Sequence, residues 1–478
     1  MNPRINRSIF KAYDIRGKYP AEINESVFAD IVSGIKGGFR GKVVVGHDAR
    51  LSSKSLYKSV IGELENADRA DRVKTIKGGL MTTPMLYFLV NALRADAGLM
   101  ITASHNPKEY NGLKIVGRQA RPVSGKEVAA CLPTSTGVRL LQRQATPISR
   151  HLDSPNGETK LQMPPKLLHD KQAAPVKFFI NLYADFLKKF LKLQRKLKVV
   201  FDCSNGTTGI ILKKLFLKSK VKSPKLKVTF INDNPDGNFP AHGPNPLASS
   251  ATDELKKAVL AGKADLGIIF DADGDRVFFI DNRGRRVDPN EIAYILMRQY
   301  PGPYVIGAVS SWRLKKSKAK SPKSKVYVSR VGHYFFKNMM REKTASLGLE
   351  HSGHYYFGDF FYCDSGILAA LSIITFLSSL DTDLASYLNQ LPAYYRSGEI
   401  NFKVSDKGKA LRQIEKFYKK SSRKISKLDG LTAEFADYWF NVRPSNTEDL
   451  LRLNMEAKSQ KILNEKMKEI KKVISYHL

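Results

Sequence analysis

The chain of 478 residues is too long for one hydrophobic core and is expected to fold as several domains. Its 42% hydrophobic and 26% charged residues are typical of a soluble globular protein. The net charge of +34 indicates either attraction of anions, including non-specific nucleic-acid binding, or a solvated lysine-rich surface. We favour the second interpretation and expect no specific nucleic-acid partner.

The cysteines and the apolar runs favour a cytoplasmic protein without a membrane span. Cys131, Cys203 and Cys363 are odd in number and lack metal-like spacing, which argues against a disulfide framework. Charged residues interrupt the first positions of the chain, so no signal peptide is expected. The uncharged run at residues 365–380 is shorter than the ~20 apolar residues of a membrane span. We predict a buried helix there.

The first part of the chain alternates between two hydrophobic patterns. Residues 42–46, 73–76 and 97–101 predict strands, and residues 52–65 and 83–93 predict helices. Such alternation indicates β-α-β units around a mixed, largely parallel sheet. The segment is therefore expected to form an α/β domain.

A hydroxyl follows the strand at 97–101. Pro107 ends regular structure just after Ser104, which leaves the serine on a turn beside an imidazole and an amide. Serine is a poor nucleophile unless a base, a cation or a metal activates it, and His105 and Lys114 are the nearby candidates. Ser-His-Asn-Pro is also good turn chemistry, so an ordinary turn serine is the alternative.

Residues 131–175 have no sustained periodicity and predict a long irregular connection. A second alternating block follows, with a helix predicted at 178–193 and a strand at 198–202. This block ends on the apolar run at 266–270, which predicts a buried strand.

An acidic loop comes directly after that strand. Asp271, Asp273 and Asp275 alternate, and Gly274 allows the tight turn that brings three carboxylates to one hard cation. Without a cation they would repel one another by several kcal/mol, although an ordinary acidic turn or a helix cap is the alternative. The pattern predicts an Mg²⁺ site. A serine and a magnesium loop together indicate phosphoryl transfer.

The third block carries polar groups suited to sugar hydroxyls. Strands are predicted at 304–309 and 326–329, separated by a Ser/Lys-rich run at 315–325 that is typical of a loop. A carboxylate, a hydroxyl and imidazoles then follow in the stretch Glu350-His351-Ser352-Gly353-His354.

From about residue 393 the pattern changes to a small α+β unit. Strands are predicted at 399–404, 431–435, 439–442 and 450–456, with a basic helix at 408–420 and a closing helix. The unit carries Arg443-Pro444-Ser445-Asn446-Thr447, whose guanidinium and hydroxyls suit a phosphate dianion, with a helix N-cap cluster as the alternative. A separately folded terminal unit is able to close over a cleft.

These four motifs, in this order, resemble those of the alpha-D-phosphohexomutases, most closely the phosphomannomutase/phosphoglucomutase group. The opening stretch Phe10-Lys11-Ala12-Tyr13-Asp14-Ile15-Arg16-Gly17 resembles that family's N-terminal motif. The resemblance implies three consecutive mixed-sheet α/β domains and a smaller C-terminal α+β domain around a central cleft. The expected domains are residues 1–150, 151–298, 299–392 and 393–478.

The resemblance also implies a reaction. Phosphorylated Ser104 would give its phosphate to a hexose 1-phosphate or hexose 6-phosphate, and the resulting hexose 1,6-bisphosphate would turn round and return the other phosphate. Mg²⁺ would be held by the Ser104 phosphate and the three aspartates. Arg16, His105 and Lys114 stay open as the general acid or base. The implied substrate-binding residues are Tyr13, Arg276, His333, Glu350, Ser352, His354, Arg443, Ser445, Asn446 and Thr447.

Three simpler interpretations stay open for individual residues. Arg276 could form a structural ion pair, and His333 and His354 could be core histidines with satisfied hydrogen bonds. For the whole chain, the rivals are a phosphoglucosamine mutase and an inactive relative that binds polyanions through its basic surface. We expect a monomer or homodimer that accepts both glucose and mannose phosphates, with the bisphosphate as intermediate or activator.

Overall fold

The computed structural model describes residues 5–66, 73–132, 175–217, 225–317, 324–445 and 449–475. Most of the predicted connection at 131–175 lies outside these ranges, as do Asn446 and Thr447. The described strands form four sheets, each built from one continuous stretch of the chain. The division at residues 150, 298 and 392 stays a prediction.

The first sheet has the strand order β1-β5-β4-β2-β3, with β6 beside β5. Strand β2 pairs in parallel with β3 and β4, while β5 is antiparallel to both β1 and β4. Its elements are β1 (Ile15–Lys18), α1 (Glu25–Lys36), β2 (Lys42–His47), α2 (Ser53–Glu65), β3 (Lys74–Leu80), α3 (Thr83–Ala92), β4 (Ala97–Ile101), β5 (Tyr110–Gly117), β6 (Pro122–Val123) and α4 (Gly125–Cys131). The predicted mixed sheet is confirmed. Short 3-10 turns lie at Arg7–Ile9 and Arg118–Ala120.

The second sheet has the order β10-β9-β7-β8, in which only β10 is antiparallel to its neighbour. Its elements are α5 (Val176–Leu187), β7 (Leu197–Asp202), α6 (Thr208–Phe216), β8 (Leu226–Ile231), α7 (Asp253–Ala261), β9 (Leu266–Phe270) and β10 (Val277–Asp281). The predicted acidic loop therefore joins two paired strands, at the end of β9.

The helix predicted at 178–193 is shorter in the structure, so the predicted C-terminal end is wrong. Helix α5 stops at Leu187 and is followed by a 3-10 turn, Lys188–Phe190. Beyond it, the Lys192 and Gln194 backbone N–H groups donate to the hydroxyls of Thr375 and Ser378. The tertiary contacts replace the helical hydrogen bonds that the local pattern predicts.

The third sheet has the order β12-β11-β13-β14-β15. Its elements are α8 (Pro289–Gln299), β11 (Tyr304–Gly307), α9 (Trp312–Lys315), β12 (Val326–Ser329), α10 (His333–Glu342), β13 (Leu347–Leu349), β14 (Tyr355–Phe357), a 3-10 turn (Gly358–Phe360), β15 (Cys363–Asp364), α11 (Gly366–Ser378) and α12 (Leu384–Asn389). The predicted buried helix at 365–380 is confirmed as α11. Among the described residues, no helix has both the length and the apolar character that crossing a membrane requires.

The last sheet is antiparallel throughout, with the order β16-β20-β19-β18-β17. Its elements are β16 (Tyr395–Lys403), α13 (Lys407–Tyr418), β17 (Lys424–Ser426), β18 (Leu431–Glu434), β19 (Tyr438–Pro444), β20 (Leu450–Ala457) and α14 (Gln460–Ser475). Both helices pack on one apolar face of the sheet, where Ile414 and Ile470 are buried beside Phe440. The predicted α+β unit is confirmed.

The buried hydrophobic residues join the first three units and give the C-terminal unit a core of its own. One core contains Met100 of the first sheet, Phe270 of the second, and Leu349 and Leu371 of the third unit. The C-terminal sheet and its helices have a separate core. The first three units are therefore joined by apolar packing, which fixes the turn after β4 relative to the loop after β9.

The shared core predicts where the fold is most sensitive to substitution. Leu371→Ala removes a fully buried side chain from it and should lower the free energy of unfolding by about 2–5 kcal/mol. Leu247→Ala, at a side chain that is 44% exposed, is the control and should cost far less. The midpoints of urea unfolding, followed by circular dichroism, make the comparison. Equal midpoints for the two variants would contradict the shared core.

Candidate active site

Ser104 stands on the turn between β4 and β5. Its backbone is left-handed, with φ +51°, a region that a serine occupies only where the surroundings fix it. Its N–H donates to Thr102 Oγ1 at 2.8 Å. Its buried hydroxyl donates to Asp271 Oδ2 at 2.8 Å, across 167 positions of sequence. The turn thus aims the hydroxyl into the acidic loop of the second unit.

The serine turn is built around the buried guanidinium of Arg50. This group donates to the carbonyl oxygens of Ser104, Asn106, Pro107 and Tyr110 at distances of 2.6–3.0 Å. Asp48 holds it from behind at 3.2 Å. Asp48 also accepts hydrogen bonds from the hydroxyls of Thr102 and Ser53, at 2.7 and 2.5 Å. The end of β2 therefore fixes the conformation of the turn that follows β4.

The three predicted carboxylates come together at the end of β9. Asp271, Asp273 and Asp275 are fully buried, and one oxygen of each lies within 4.8 Å of the others. Gly274, with φ +75°, provides the turn, and its N–H donates to Asp271 Oδ1 at 3.1 Å. Thr83, at the start of α3, donates its hydroxyl to Asp273 Oδ2 at 2.6 Å.

Lys114 of β5 supplies a positive charge to this cluster. Its ammonium lies 2.8 Å from Asp273 Oδ2 and 2.5 Å from Asp275 Oδ2. Burial alone would lower the pKa of Lys114, but the two carboxylates outweigh it and raise the pKa above its ordinary value. Burial would raise the pKa of Asp275, yet Lys114 and His354 hold it well below its usual range.

Asp271 behaves differently because it has no lysine partner. Burial and the neighbouring charges of Asp275 and Asp273 raise its pKa well above the ordinary value. Asp273 Oδ1 makes no hydrogen bond within the described residues, and Asp275 Oδ1 has only His354 Nε2 at 3.4 Å. Three buried carboxylates with one ammonium and free oxygens fit a divalent cation. The residues present therefore suit a metal ion.

Asp275 also belongs to a second cluster of possible metal ligands. This cluster consists of Asp275, His354 and Asp364. Here a cation is already present, because the buried ammonium of Lys337 lies 2.7 Å from Asp364 Oδ1. The carboxylates of the acidic loop are thus the better candidates for a metal.

Of the three candidates for acid or base chemistry, His105 contacts the serine, Lys114 contacts the acidic loop, and Arg16 contacts the serine turn at Asn106. His105 Nδ1 is 3.4 Å from Ser104 Oγ. Burial and the guanidinium groups of Arg276 and Arg16 hold the pKa of His105 well below its ordinary value, so its imidazole is neutral. Arg16 is held by Asp14 at 2.7 Å and by the Asn106 side chain.

The third unit brings its polar motif to the same loops. His354 Nε2 accepts from Arg276 Nε at 3.4 Å, and His354 Nδ1 lies 2.9 Å from Ser352 Oγ. Arg276 Nε is 4.0 Å from Asp271 Oδ2, so it also adjoins the carboxylate cluster. Glu350 is buried and its Oε2 accepts from the Tyr356 hydroxyl at 2.9 Å.

Tyr13 and His333 face each other across the boundary between the first and third units. Their ring centroids are 5.6 Å apart, and the Tyr13 hydroxyl donates to the Val331 carbonyl at 3.0 Å. Burial and the carboxylate of Glu350 raise the pKa of Tyr13 to about 12, so the hydroxyl keeps its proton. Both ring nitrogens of His333 are buried without a hydrogen-bond partner in the described residues, which leaves them available to a ligand.

The C-terminal unit contributes a pair of guanidinium groups. Arg443 of β19 and Arg452 of β20 are direct partners in the sheet, and both lie beside the Glu399 carboxylate, at 2.9 and 3.5 Å. Ser445 Oγ accepts from Arg452 at 3.4 Å. Asn446 and Thr447 lie outside the described residues.

Sequence reasoning assigned no role in the site to three residues of this arrangement. Arg50 stands in a polar stretch at the end of β2, and its place at a strand end was the sequence signal that could have indicated a role in the site. Thr83 and Arg452 carry no local signal, because only the fold brings the first to Asp273 and only the strand register brings the second beside Arg443.

Comparison with known proteins identifies the family. Four domain families of phosphoglucomutase/phosphomannomutase match in order: alpha/beta/alpha domain I at residues 7–132, domain II at 181–284, domain III at 288–395 and the C-terminal domain at 399–473. The phosphomannomutase of Escherichia coli is 33% identical over 459 residues, which cover 94% of each chain. The chain belongs to the phosphoglucomutase/phosphomannomutase family. It is a phosphosugar mutase, an isomerase that acts on hexose phosphates.

Solved structures agree with this assignment. A phosphoglucomutase/phosphomannomutase family protein from Burkholderia thailandensis is 26% identical, with a TM-score of 0.80 over 99% of this chain and 98% of that one. The N-acetylphosphoglucosamine mutase of Aspergillus fumigatus, in complex with glucose 1,6-bisphosphate, shares the fold at 14% identity and a TM-score of 0.54. That alignment covers 98% of this chain and 95% of that protein.

Arg50 offers a test of how the serine turn is positioned. Arg50→Lys keeps the charge but loses the fork that reaches four carbonyl oxygens, each worth about 1.5–3 kcal/mol when the donor is charged. We expect kcat of the mutase reaction to fall by about tenfold or more. Arg283→Lys, at a guanidinium with one exposed hydrogen bond, is the matched control. A kcat for Arg50→Lys within twofold of the parent protein would refute this role.

Proposed function

We propose that the protein interconverts hexose 1-phosphate and hexose 6-phosphate, of mannose, glucose or both, through a phosphorylated Ser104 and a hexose 1,6-bisphosphate. The observation that carries the proposal is the 2.8 Å hydrogen bond between the Ser104 hydroxyl and Asp271, inside a buried three-carboxylate cluster. A serine that only formed a turn would not need to be buried against carboxylates that themselves require a cation. The interpretation as a turn serine is therefore disfavoured.

The metal ion is proposed to be Mg²⁺, held by Asp271, Asp273 and Asp275 together with the Ser104 oxygen. Carboxylate oxygens are the ligands that this hard cation prefers. When bound, it would neutralise charge on the phosphate oxygens during transfer. Lys114 holds Asp273 and Asp275 in place and remains protonated, because its pKa is raised.

The protonation states assign roles to the groups around the serine. A general base must be neutral before it accepts a proton, which disfavours Lys114, whose pKa is raised, and favours His105, whose pKa is lowered. As the phosphorus–oxygen bond to Ser104 breaks, the new bond forms to a sugar hydroxyl, whose proton passes to the base and from it to the released Ser104 oxygen, which regenerates the serine hydroxyl. We therefore place His105 as this base and Arg16, fixed by Asp14, as a contact to the phosphate.

The sugar and its second phosphate are proposed to contact the third and fourth units. Glu350 and Ser352 suit adjacent sugar hydroxyls, and the unpartnered nitrogens of His333 suit a further contact. Arg443 and Ser445 suit the phosphate that does not react, because a guanidinium matches two phosphate oxygens at once. The other implied substrate residues adjoin the sugar-binding groups: Tyr13 contacts His333, and Arg276 donates to His354.

The bisphosphate intermediate must present each end in turn to the serine. Both ends carry a phosphate, so the distant site has to bind phosphate firmly and tolerate either orientation of the sugar. Binding of glucose 1,6-bisphosphate by the Aspergillus fumigatus protein, which shares the fold, supports such an intermediate. We expect the enzyme to accept both glucose and mannose phosphates for the same reason.

Intact mass and coupled assays test the proposal together. The purified protein should carry one phosphate, which Ser104→Ala removes, and the variant should lose mutase activity by on the order of 10³-fold or more. The parent protein should convert glucose 1-phosphate or mannose 1-phosphate in the presence of Mg²⁺. Ser250→Ala, at an exposed serine outside the site, should keep both the phosphate and the activity. A phosphate or a conversion rate that survives Ser104→Ala would overturn the phosphoserine mechanism.

A further inference from the structure

The face of the C-terminal sheet opposite its apolar core meets the third unit, where Trp439 packs with Trp312 and Val309. Cross-strand pairing aligns Lys424, Glu434, Trp439 and Glu456 in one row across β17, β18, β19 and β20. Directly paired residues point to the same face of a sheet, so the row faces away from the apolar core on the other side. Glu456, fully buried, accepts hydrogen bonds from the Trp439 indole and from the Trp312 backbone N–H of α9.

A cavity of about 360 Å³ lies between this face and the third unit. Trp312, Lys315 and Lys316 line it from α9 and the residue after it, and Lys424 lines it from β17. Apolar side chains of Val326, Val328 and Leu428 complete the wall. None of the lining residues belongs to the serine turn, the acidic loop, the sugar-binding motif or the Arg443 motif. The cavity is separate from the candidate active site.

The cavity has an excess of positive charge. The ammonium groups of Lys315, Lys316 and Lys424 make no ion pair or hydrogen bond with the residues that the structure describes, while Glu434 is the one carboxylate in the lining. Lys315 and Lys316 instead lie over the rings of Trp439 and Trp312, at 4.2 and 4.3 Å from their centroids.

Burial makes the charge of Lys315 costly, whereas Lys316 and Lys424 are exposed. It lowers the pKa of Lys315 to about 8, with the carboxylates of Glu434 and Glu456 opposing the shift and Arg396 and Lys424 adding to it. An anion in the cavity would offset the repulsion between the lysines.

We propose that this cavity binds a phosphate monoester of a small organic molecule. The phosphate dianion would contact Lys315, Lys316 and Lys424, and the organic part would lie against Val326, Val328 and Leu428. The lining has more ammonium groups than carboxylates, which favours an anion. The volume exceeds that of a single phosphate ion, and the apolar wall gives the remaining space a preference for carbon over water. The ligand would contact both the third and the fourth units.

The two tryptophans of the chain report directly on this cavity. The sequence contains only Trp312 and Trp439, and each ring lies beneath one of the lysines. Titration of the full-length protein with phenyl phosphate and with inorganic phosphate, at an ionic strength held constant with chloride, should give a saturable change in tryptophan emission. Phenyl phosphate should bind at least about fivefold more tightly, because its ring is buried against the apolar wall.

Substitutions of the lining lysines test whether the change in tryptophan emission comes from the cavity. Lys315→Gln and Lys424→Gln should each weaken the binding of phenyl phosphate about tenfold or more, the loss expected for one charge-assisted contact. Lys424 is exposed, so its variant keeps the fold even where the partly buried Lys315 is sensitive. Lys256→Gln, at a lysine on α7, is the matched control and should bind as the parent protein does.

Arg443→Ala separates the cavity from the active site. If the emission change comes from the cavity, this variant keeps it while losing affinity for hexose phosphates. The proposal is overturned by any of three results: no saturable change with either probe, an equal change in the Lys315 and Lys424 variants, or loss of the change in Arg443→Ala alone. The last result would place the ligand in the active site.

Discussion

The structure depends on the burial of three carboxylates at one point between two units of the chain. Asp271, Asp273 and Asp275 are out of water, and the charge they share is balanced within the described residues chiefly by Lys114, which comes from a different sheet. An uncompensated buried carboxylate is costly, so the first and second units are locked together at this point. The same deficit of positive charge makes the cluster a candidate metal site, and Asp271 orients the Ser104 hydroxyl.

The rest of the fold separates the proposed site of phosphoryl transfer from the proposed site for the second phosphate. The first three units share one apolar core, which holds the serine turn and the acidic loop at hydrogen-bond distance. Arg443 instead belongs to a unit with its own core, which meets the third unit through a small apolar cluster of Trp439, Trp312 and Val309 beside the buried Glu456. A separately folded unit with a small interface is able to move relative to its neighbours, as the proposed intermediate requires.

Sequence patterns predicted what is encoded locally. The turn at Ser104 and the alternating aspartates depend on neighbouring residues, so their placement at strand ends followed from short stretches of sequence. The end of α5 did not, because side chains of a distant helix replace its last hydrogen bonds. Protonation states were equally inaccessible, since the charge of Lys114 depends on two aspartates about 160 positions away. The cavity lined by Lys315 could not be predicted from the sequence, because it depends on the register of four strands.

The central claim is that the Ser104 phosphate and the three carboxylates share one divalent ion. The most direct measurement is electron–nuclear double resonance of the phosphorylated protein loaded with Mn²⁺ in place of Mg²⁺. The account predicts a phosphorus hyperfine coupling to Mn²⁺ that disappears after dephosphorylation and in Ser104→Ala. A phosphorylated protein that binds Mn²⁺ at the aspartates without any phosphorus coupling would contradict it.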